Sequence, residues 1–238
     1  MEKIDLATTS PNGIKNMVVA DQRVKMPEIS GELMSYIFNR TTVCNAELSD
    51  VTNQSKSEQW GFMNTCPDQA QFLNMLVKIS GSKKILEIGS FLGHSAIAMA
   101  SALNTQGILT SVDCSEIWSA KAKENYRKAG VISKIQQKIG PALEIMDSLR
   151  VGGETYDLIF IDADKANVVN YYQRAVELVE VGGLIIIDNV LWRGNIHKTN
   201  DCERSKALNE LNDLVMEDDR TEGTILTLSD GMWMIRRL

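Results

Sequence analysis

From Lys83 onward, short apolar runs rich in β-branched residues alternate with longer helical stretches, and this alternation constrains the fold more than any other feature. It is the pattern of a parallel sheet covered by helices. Five strands are expected, at Lys84 to Ile88, Ile108 to Asp113, Lys134 to Ile139, Tyr156 to Asp162 and Leu184 to Asp188. The runs Leu158-Ile159-Phe160-Ile161 and Leu184-Ile185-Ile186-Ile187 are continuously apolar, as strands buried on both faces must be, so these two should be central. Ser115-Glu116 opens a helix that runs to Gly130, and a second spans Ala166 to Val181 with its stop at Gly182-Gly183. Farther on, Thr224 to Leu228 and Met232 to Arg236 flank Ser229-Asp230-Gly231, where Asp-Gly signals a closing antiparallel hairpin. Upstream, Gly31 to Phe38 and Asp68 to Ile79 carry helical patterns, Ser49 to Asn64 is polar and weakly patterned, and Met1 to Ile29 yields no assignment.

Composition narrows the function. With 238 residues, 44% of them hydrophobic, the chain can bury one full α/β core. A net charge of -6 and the lack of a basic stripe speak against nucleic acid, whose binding depends on clustered Lys and Arg releasing counterions. No apolar run approaches the roughly 18 residues of a membrane span, and Met1 to Ser30 mixes charges with short apolar pieces, so no membrane and a cytoplasmic location are expected. Cys44, Cys66, Cys114 and Cys202 form no CxxC pair and read as reduced thiols.

In an open parallel sheet, ligands bind at the carboxyl ends of the strands, so the residues that close each strand carry the functional information. The first strand ends in Glu87-Ile88-Gly89-Ser90-Phe91-Leu92-Gly93, a glycine-bearing turn that lets a ligand approach the backbone. Glu87 stands where a dinucleotide fingerprint needs its first glycine, which weakens a nicotinamide-dependent oxidoreductase reading. Asp113 ends the second strand, suitably spaced to accept from ribose hydroxyls, although a lone Asp there is more often a helix cap. The fourth strand ends Asp162-Ala163-Asp164-Lys165 and the fifth Asp188-Asn189. Asp162, Asp188 and Asn189 thus bring three oxygen donors to one sheet edge, a set suited to a hard cation such as Mg²⁺, with Ca²⁺ or Mn²⁺ as alternatives. The competing reading makes each acid a cap for the helix after it.

Five ordered stretches resemble the cation-dependent O-methyltransferases typified by plant caffeoyl-coenzyme A O-methyltransferase: Thr65-Cys66-Pro67-Asp68, Ile85-Leu86-Glu87-Ile88-Gly89, Gly93-His94-Ser95, Ile161-Asp162-Ala163-Asp164-Lys165 and Asp188-Asn189-Val190-Leu191-Trp192. The resemblance runs from about Met63 onward, leaving residues 1–62 as an N-terminal extension expected to serve the acceptor site or a dimer contact. It implies a class I methyltransferase fold: a Rossmann-like seven-stranded sheet, five strands parallel and two forming the antiparallel hairpin, with helices on both faces. It also implies S-adenosyl-L-methionine held by Thr65, Glu87, Gly89, Ser90, Ser95, Asp113, Ala142, Asp162 and Asp164, and a divalent cation on Asp162, Asp188 and Asn189. The acceptor would be a catechol-like or phenolic small molecule and the protein a homodimer.

Lys165, with Asp162 beside it, is expected to act in catalysis as base or electrostatic partner, because a neighbouring cation and partial burial favour the neutral amine; it is otherwise a surface lysine neutralising Asp162 and Asp164. Trp192, Arg193 and Tyr171 are the candidate acceptor contacts, with core packing an equal account of the two aromatics. Four positions depart from the family pattern: His94 and Val168 replace Tyr, Leu92 replaces Thr, and Arg193 replaces Asn. His94 and His197 are read as a helix-surface and a loop histidine. A protein that binds the cofactor without turnover is the non-enzymatic alternative.

Overall fold

A computed structural model of the chain describes residues 30–198 and 202–238; the unassigned stretch Met1 to Ile29 lies outside them. The elements follow in the order α1 (Gly31–Phe38), α2 (Glu47–Lys56), α3 (Pro67–Ser80), β1 (Lys84–Ile88), α4 (His94–Ala102), β2 (Ile108–Asp113), α5 (Glu116–Lys128), β3 (Ile135–Ile139), α6 (Ala142–Val151), β4 (Tyr156–Ile161), α7 (Val168–Leu178), β5 (Val179–Asp188), α8 (Glu203–Glu217), β6 (Thr221–Leu226) and β7 (Met232–Arg237). The sheet has seven strands in the order β3-β2-β1-β4-β5-β7-β6. β3, β2, β1, β4 and β5 run parallel and β6 and β7 form the antiparallel hairpin, as expected, while β7 also pairs antiparallel with β5.

Pleating sends successive side chains to opposite faces, and both faces are buried. Leu158 and Phe160 of β4 join Leu73, Ile97 and Tyr126 under α3, α4 and α5. Their neighbours Ile159 and Ile161 join Tyr172, Val176 and Leu211 under α7 and α8. Helix starts are set locally. Ser115 caps α5 by accepting from Trp118 N, and Pro67 opens α3 at a position where its missing N–H costs nothing. Among the described residues no helix is long and apolar enough to cross a membrane, and all four cysteines are free.

Three expectations need correction. The first hairpin strand, expected at Thr224 to Leu228, is β6 at Thr221–Leu226. The helix expected to reach Val181 ends at Leu178, and β5 begins at Val179, opposite Tyr156. Gly182-Gly183 is no helix stop: a side chain at Gly183 would meet the Asp157 carbonyl oxygen at 2.9 Å, so the pair lets β5 bend back onto β4 beside a register shift. The polar stretch after Ser49 contains most of α2, which buries only Leu48, Val51 and Ser55. Thr52 of the same helix meets His94, which is buried rather than on a helix surface.

Register aligns the strand ends. Ile88 pairs with Val112 and with Ile161, and Ile161 pairs with Ile187. Gly89, Asp113, Asp162 and Asp188 each follow one of these residues, so they stand in one row across four strands.

Candidate active site

At the left of this row the glycine turn is held by hydrogen bonds that continue the ladder past the strands. Gly89 N donates to Val112 O and Asp162 N donates to Ile88 O, both at 2.8 Å. Gly89 has φ +91, and a Cβ there would lie 2.2 Å from the Asp162 carbonyl oxygen, so the turn and the β4 end approach too closely for any side chain. Asp113 clamps the turn: its Oδ2 accepts from Ser90 N (3.0 Å), Phe91 N (2.9 Å) and Ser90 Oγ (3.3 Å), and its Oδ1 from Ser115 N (2.9 Å). The cap of α5 is Ser115, so Asp113 is not the helix cap that the bland reading offered.

Glu87 lies beneath the turn, wholly buried, with its two oxygens accepting from Ser95 Oγ (2.6 Å) and Ser111 Oγ (2.8 Å). Burial pushes its carboxyl up to about 7, with Asp162 and Asp113 adding to the rise and the two hydroxyls opposing it. His94 opens α4 and bonds Thr52 Oγ1 through Nε2 at 3.2 Å. Because Thr52 donates its own proton to Leu48 O, the imidazole is the donor here. Burial lowers its pKa to about 4, which keeps it neutral. Leu92 and Val168 are buried in the two cores, while Arg193 is exposed.

At the right of the row Lys165 Nζ donates to Asp162 Oδ1 at 2.9 Å, and its side chain is only 11% exposed. Asp188 is 3% exposed; burial and the neighbouring Asp162 push its carboxyl up, while Lys165, Asn189 N and Gln69 favour the charged form. Asn189 sits at φ +62 with its side-chain amide making no hydrogen bond among the described residues. The following turn is fastened to the β6–β7 connection by Val190 N to Gly231 O (3.1 Å), Leu191 N to Asp230 O (3.0 Å) and Arg193 N to Asp230 Oδ1 (2.5 Å). Asp164 caps the turn after β4 and accepts from Asn167 and from Tyr171 OH, the latter at 2.5 Å. Tyr171, whose phenol burial pushes up, packs in the α7–α8 core, and Trp192 packs against that core at φ +48. Thr65 is buried just before α3, and Ala142 is the first residue of α6.

This arrangement has counterparts in known proteins. A family model described as O-methyltransferase matches residues 35–238. Caffeoyl-CoA O-methyltransferase 2 of Populus trichocarpa is 37% identical over 223 residues, covering 87% of this chain and 86% of the relative. Caffeoyl-CoA O-methyltransferase 1 of Eucalyptus globulus is 39% identical over 222 residues, again with 87% and 86% covered. The chain belongs to the O-methyltransferase family. The family's enzymes depend on S-adenosylmethionine, and membership removes the nicotinamide oxidoreductase reading. A crystal structure of the O-methyltransferase from Bacillus cereus in complex with SAH shares the fold at a TM-score of 0.79 and 28% identity, over 86% of this chain and 96% of that one.

In this O-methyltransferase, the residues singled out from sequence at the ends of β1, β2, β4 and β5 do converge on one edge. Two others at that edge have no sequence signal. Gln69 reaches Asp188 from α3, and Ser111, one turn of the pleat below Asp113, completes the setting of Glu87. A groove of about 450 Å³ on the outer side of α7 and α8, lined by residues such as Gln173, Glu210 and Glu217, includes no residue of this row.

Proposed function

We propose that this O-methyltransferase transfers the methyl group of S-adenosyl-L-methionine to a hydroxyl of a small catechol-like or phenolic acceptor, with a divalent cation, Mg²⁺ before Ca²⁺ or Mn²⁺, on Asp162, Asp188 and Asn189. The observation that carries this is the adjacency of Asp162 and Asp188, which follow the paired residues Ile161 and Ile187, with Asp188 buried and its ionised form disfavoured. A cation would relieve that penalty. Among the described residues no three His, Cys, Asp or Glu side chains gather in metal-binding geometry; the proposed set is two carboxylates and one amide. Three oxygen donors suit a hard cation that retains open positions for water or acceptor. Such an ion, when bound, polarises the acceptor hydroxyl and orients it.

The remaining work falls to the chain's own residues. Among the described residues Asp113 Oδ1 makes a single hydrogen bond and keeps lone pairs for a ribose hydroxyl, while Thr65, Glu87, Gly89, Ser90, Ser95, Ala142, Asp162 and Asp164 would complete the cofactor's surroundings. The acceptor oxygen attacks the methyl carbon, the carbon–sulfur bond breaks, and the products are the methyl ether, S-adenosylhomocysteine and one proton. Lys165, poised on Asp162, takes that proton or draws it off electrostatically. Trp192 and Arg193 would contact the acceptor, an assignment that rests on the family resemblance; Tyr171 acts through Asp164, to which its hydroxyl donates. The reading includes a cytoplasmic homodimer, whose mass light scattering would give directly. The deciding experiment is methylation of a catechol and phenol library with and without EDTA. Chelation should abolish turnover and Mg²⁺ restore it, whereas full activity after exhaustive chelation removes the cation from the mechanism.

A further inference from the structure

Gln69, the third residue of α3, is buried at 2% exposure 119 positions before the acid it touches. Its Oε1 accepts from Cys66 N at 3.1 Å and its Nε2 donates to Asp188 Oδ1 at 2.8 Å. The amide can point only this way, because the backbone N–H of Cys66 can only donate and so must face Oε1, which turns Nε2 toward Asp188. Asn189 N also donates to the same Oδ1, at 2.7 Å. Both hydrogen bonds on Asp188 therefore fall on one oxygen, and among the described residues Oδ2 has none.

We infer that Gln69 is a positioning residue of the cation site: it anchors Oδ1 of Asp188 from the neighbouring helix so that Oδ2 is left, in a fixed orientation, to ligate the ion. The inference rests on the proposed metal reading. The residue type fits the task. A Lys or Arg at this position would neutralise the carboxylate and compete with the cation, and a Glu would set one carboxylate against another. A neutral donor fixes the geometry and leaves the negative charge for the ion. Removing an outer-shell partner that orients a metal ligand typically costs roughly 10- to 100-fold in metal affinity or activity.

The test uses the full chain with Mn²⁺ alone as the probe, free Mn²⁺ being counted by electron paramagnetic resonance and S-adenosylhomocysteine affinity measured separately by calorimetry. Gln69→Met keeps the volume and removes both hydrogen bonds. Mn²⁺ affinity should fall about 10-fold or more while S-adenosylhomocysteine affinity is unchanged. Equal Mn²⁺ binding by wild type and variant overturns the role of Gln69, and so does a parallel loss of both affinities, which marks a purely structural residue. Absence of any Mn²⁺ site in the wild type sinks the metal reading itself, a separate result. Should Gln69→Met not fold, Gln69→Asn keeps a polar amide one methylene too short to span Cys66 and Asp188, and the same selective loss is expected of it. Failure of both variants to fold assigns Gln69 to the core and overturns the inference.

Discussion

Replacing Glu87 with Gln should change how stability depends on pH more than it changes stability at any one pH. The Glu87 carboxyl is wholly buried and pushed up to about 7 from an ordinary value of 4.5, burial outweighing the Ser95 and Ser111 hydroxyls that favour its charged form. In the unfolded chain the group ionises near the ordinary value, so the folded protein binds an extra proton between the two. The stability supplied by the protonated form is complete below 4.5 and is lost as pH rises through about 7. At about 1.36 kcal/mol per pH unit, the interval corresponds to roughly 3 kcal/mol. Glutamine can accept from one serine and donate to the other, because a hydroxyl serves in either role, so Glu87→Gln should fold. Urea unfolding of the ligand-free protein and the variant, from pH 5 to pH 8, is the assay. The variant should gain on the wild type by roughly 2.5 kcal/mol across that range, nearly all of it between pH 5 and 7.5. A stability difference that stays flat with pH would show that Glu87 ionises normally in the folded protein, and would refute the assignment of a desolvated carboxyl under the glycine turn.

Lys165→Met should lower kcat by about 10²-fold or more and leave S-adenosylmethionine affinity unmoved; a near-normal kcat makes Lys165 only the charge partner of Asp162. Asp113→Ala should weaken cofactor binding by about 1.5 to 3 kcal/mol in calorimetry, and also lower the melting temperature because the Ser90 and Phe91 amides lose their acceptor. An unchanged dissociation constant confines Asp113 to bracing the turn. Gly89→Ala should destabilise the fold by about 3 kcal/mol or more, since its Cβ would enter the Asp162 carbonyl at a left-handed φ; an unaltered thermal transition contradicts that close approach.

The sheet was legible because burial on both faces leaves a strong mark: β1 and β2 have the bounds expected from the sequence, and β4 differs by one residue. The strand-end acids were legible for the same reason, since a polar residue that closes an apolar run stands out. Where burial is narrow, the pattern fails. α2 buries three side chains at positions 48, 51 and 55, too thin a stripe to read amid its polar residues, and the burial of His94 beneath it went unseen with it. The end of α7 was misplaced because Gly182-Gly183 serves two purposes equally well in a sequence, a helix stop or a bend within a strand, and only the β4 backbone beside Gly183 decides between them. Gln69 carries no local signature, because what it does depends on a contact made across 119 residues.

The sheet order has a consequence for synthesis. β7 inserts between β5 and β6, and the backbone of the Asp230–Gly231 connection holds the turn that follows Asn189. While the chain is being made, β5 therefore waits with one edge open and the Asn189 turn untethered until β7 has left the ribosome. An open, apolar strand edge is prone to pair with another molecule, so the nascent protein is exposed to aggregation until β7 closes that edge. The same event that protects the edge completes the site, and a folding intermediate without β7 would be both sticky and inactive.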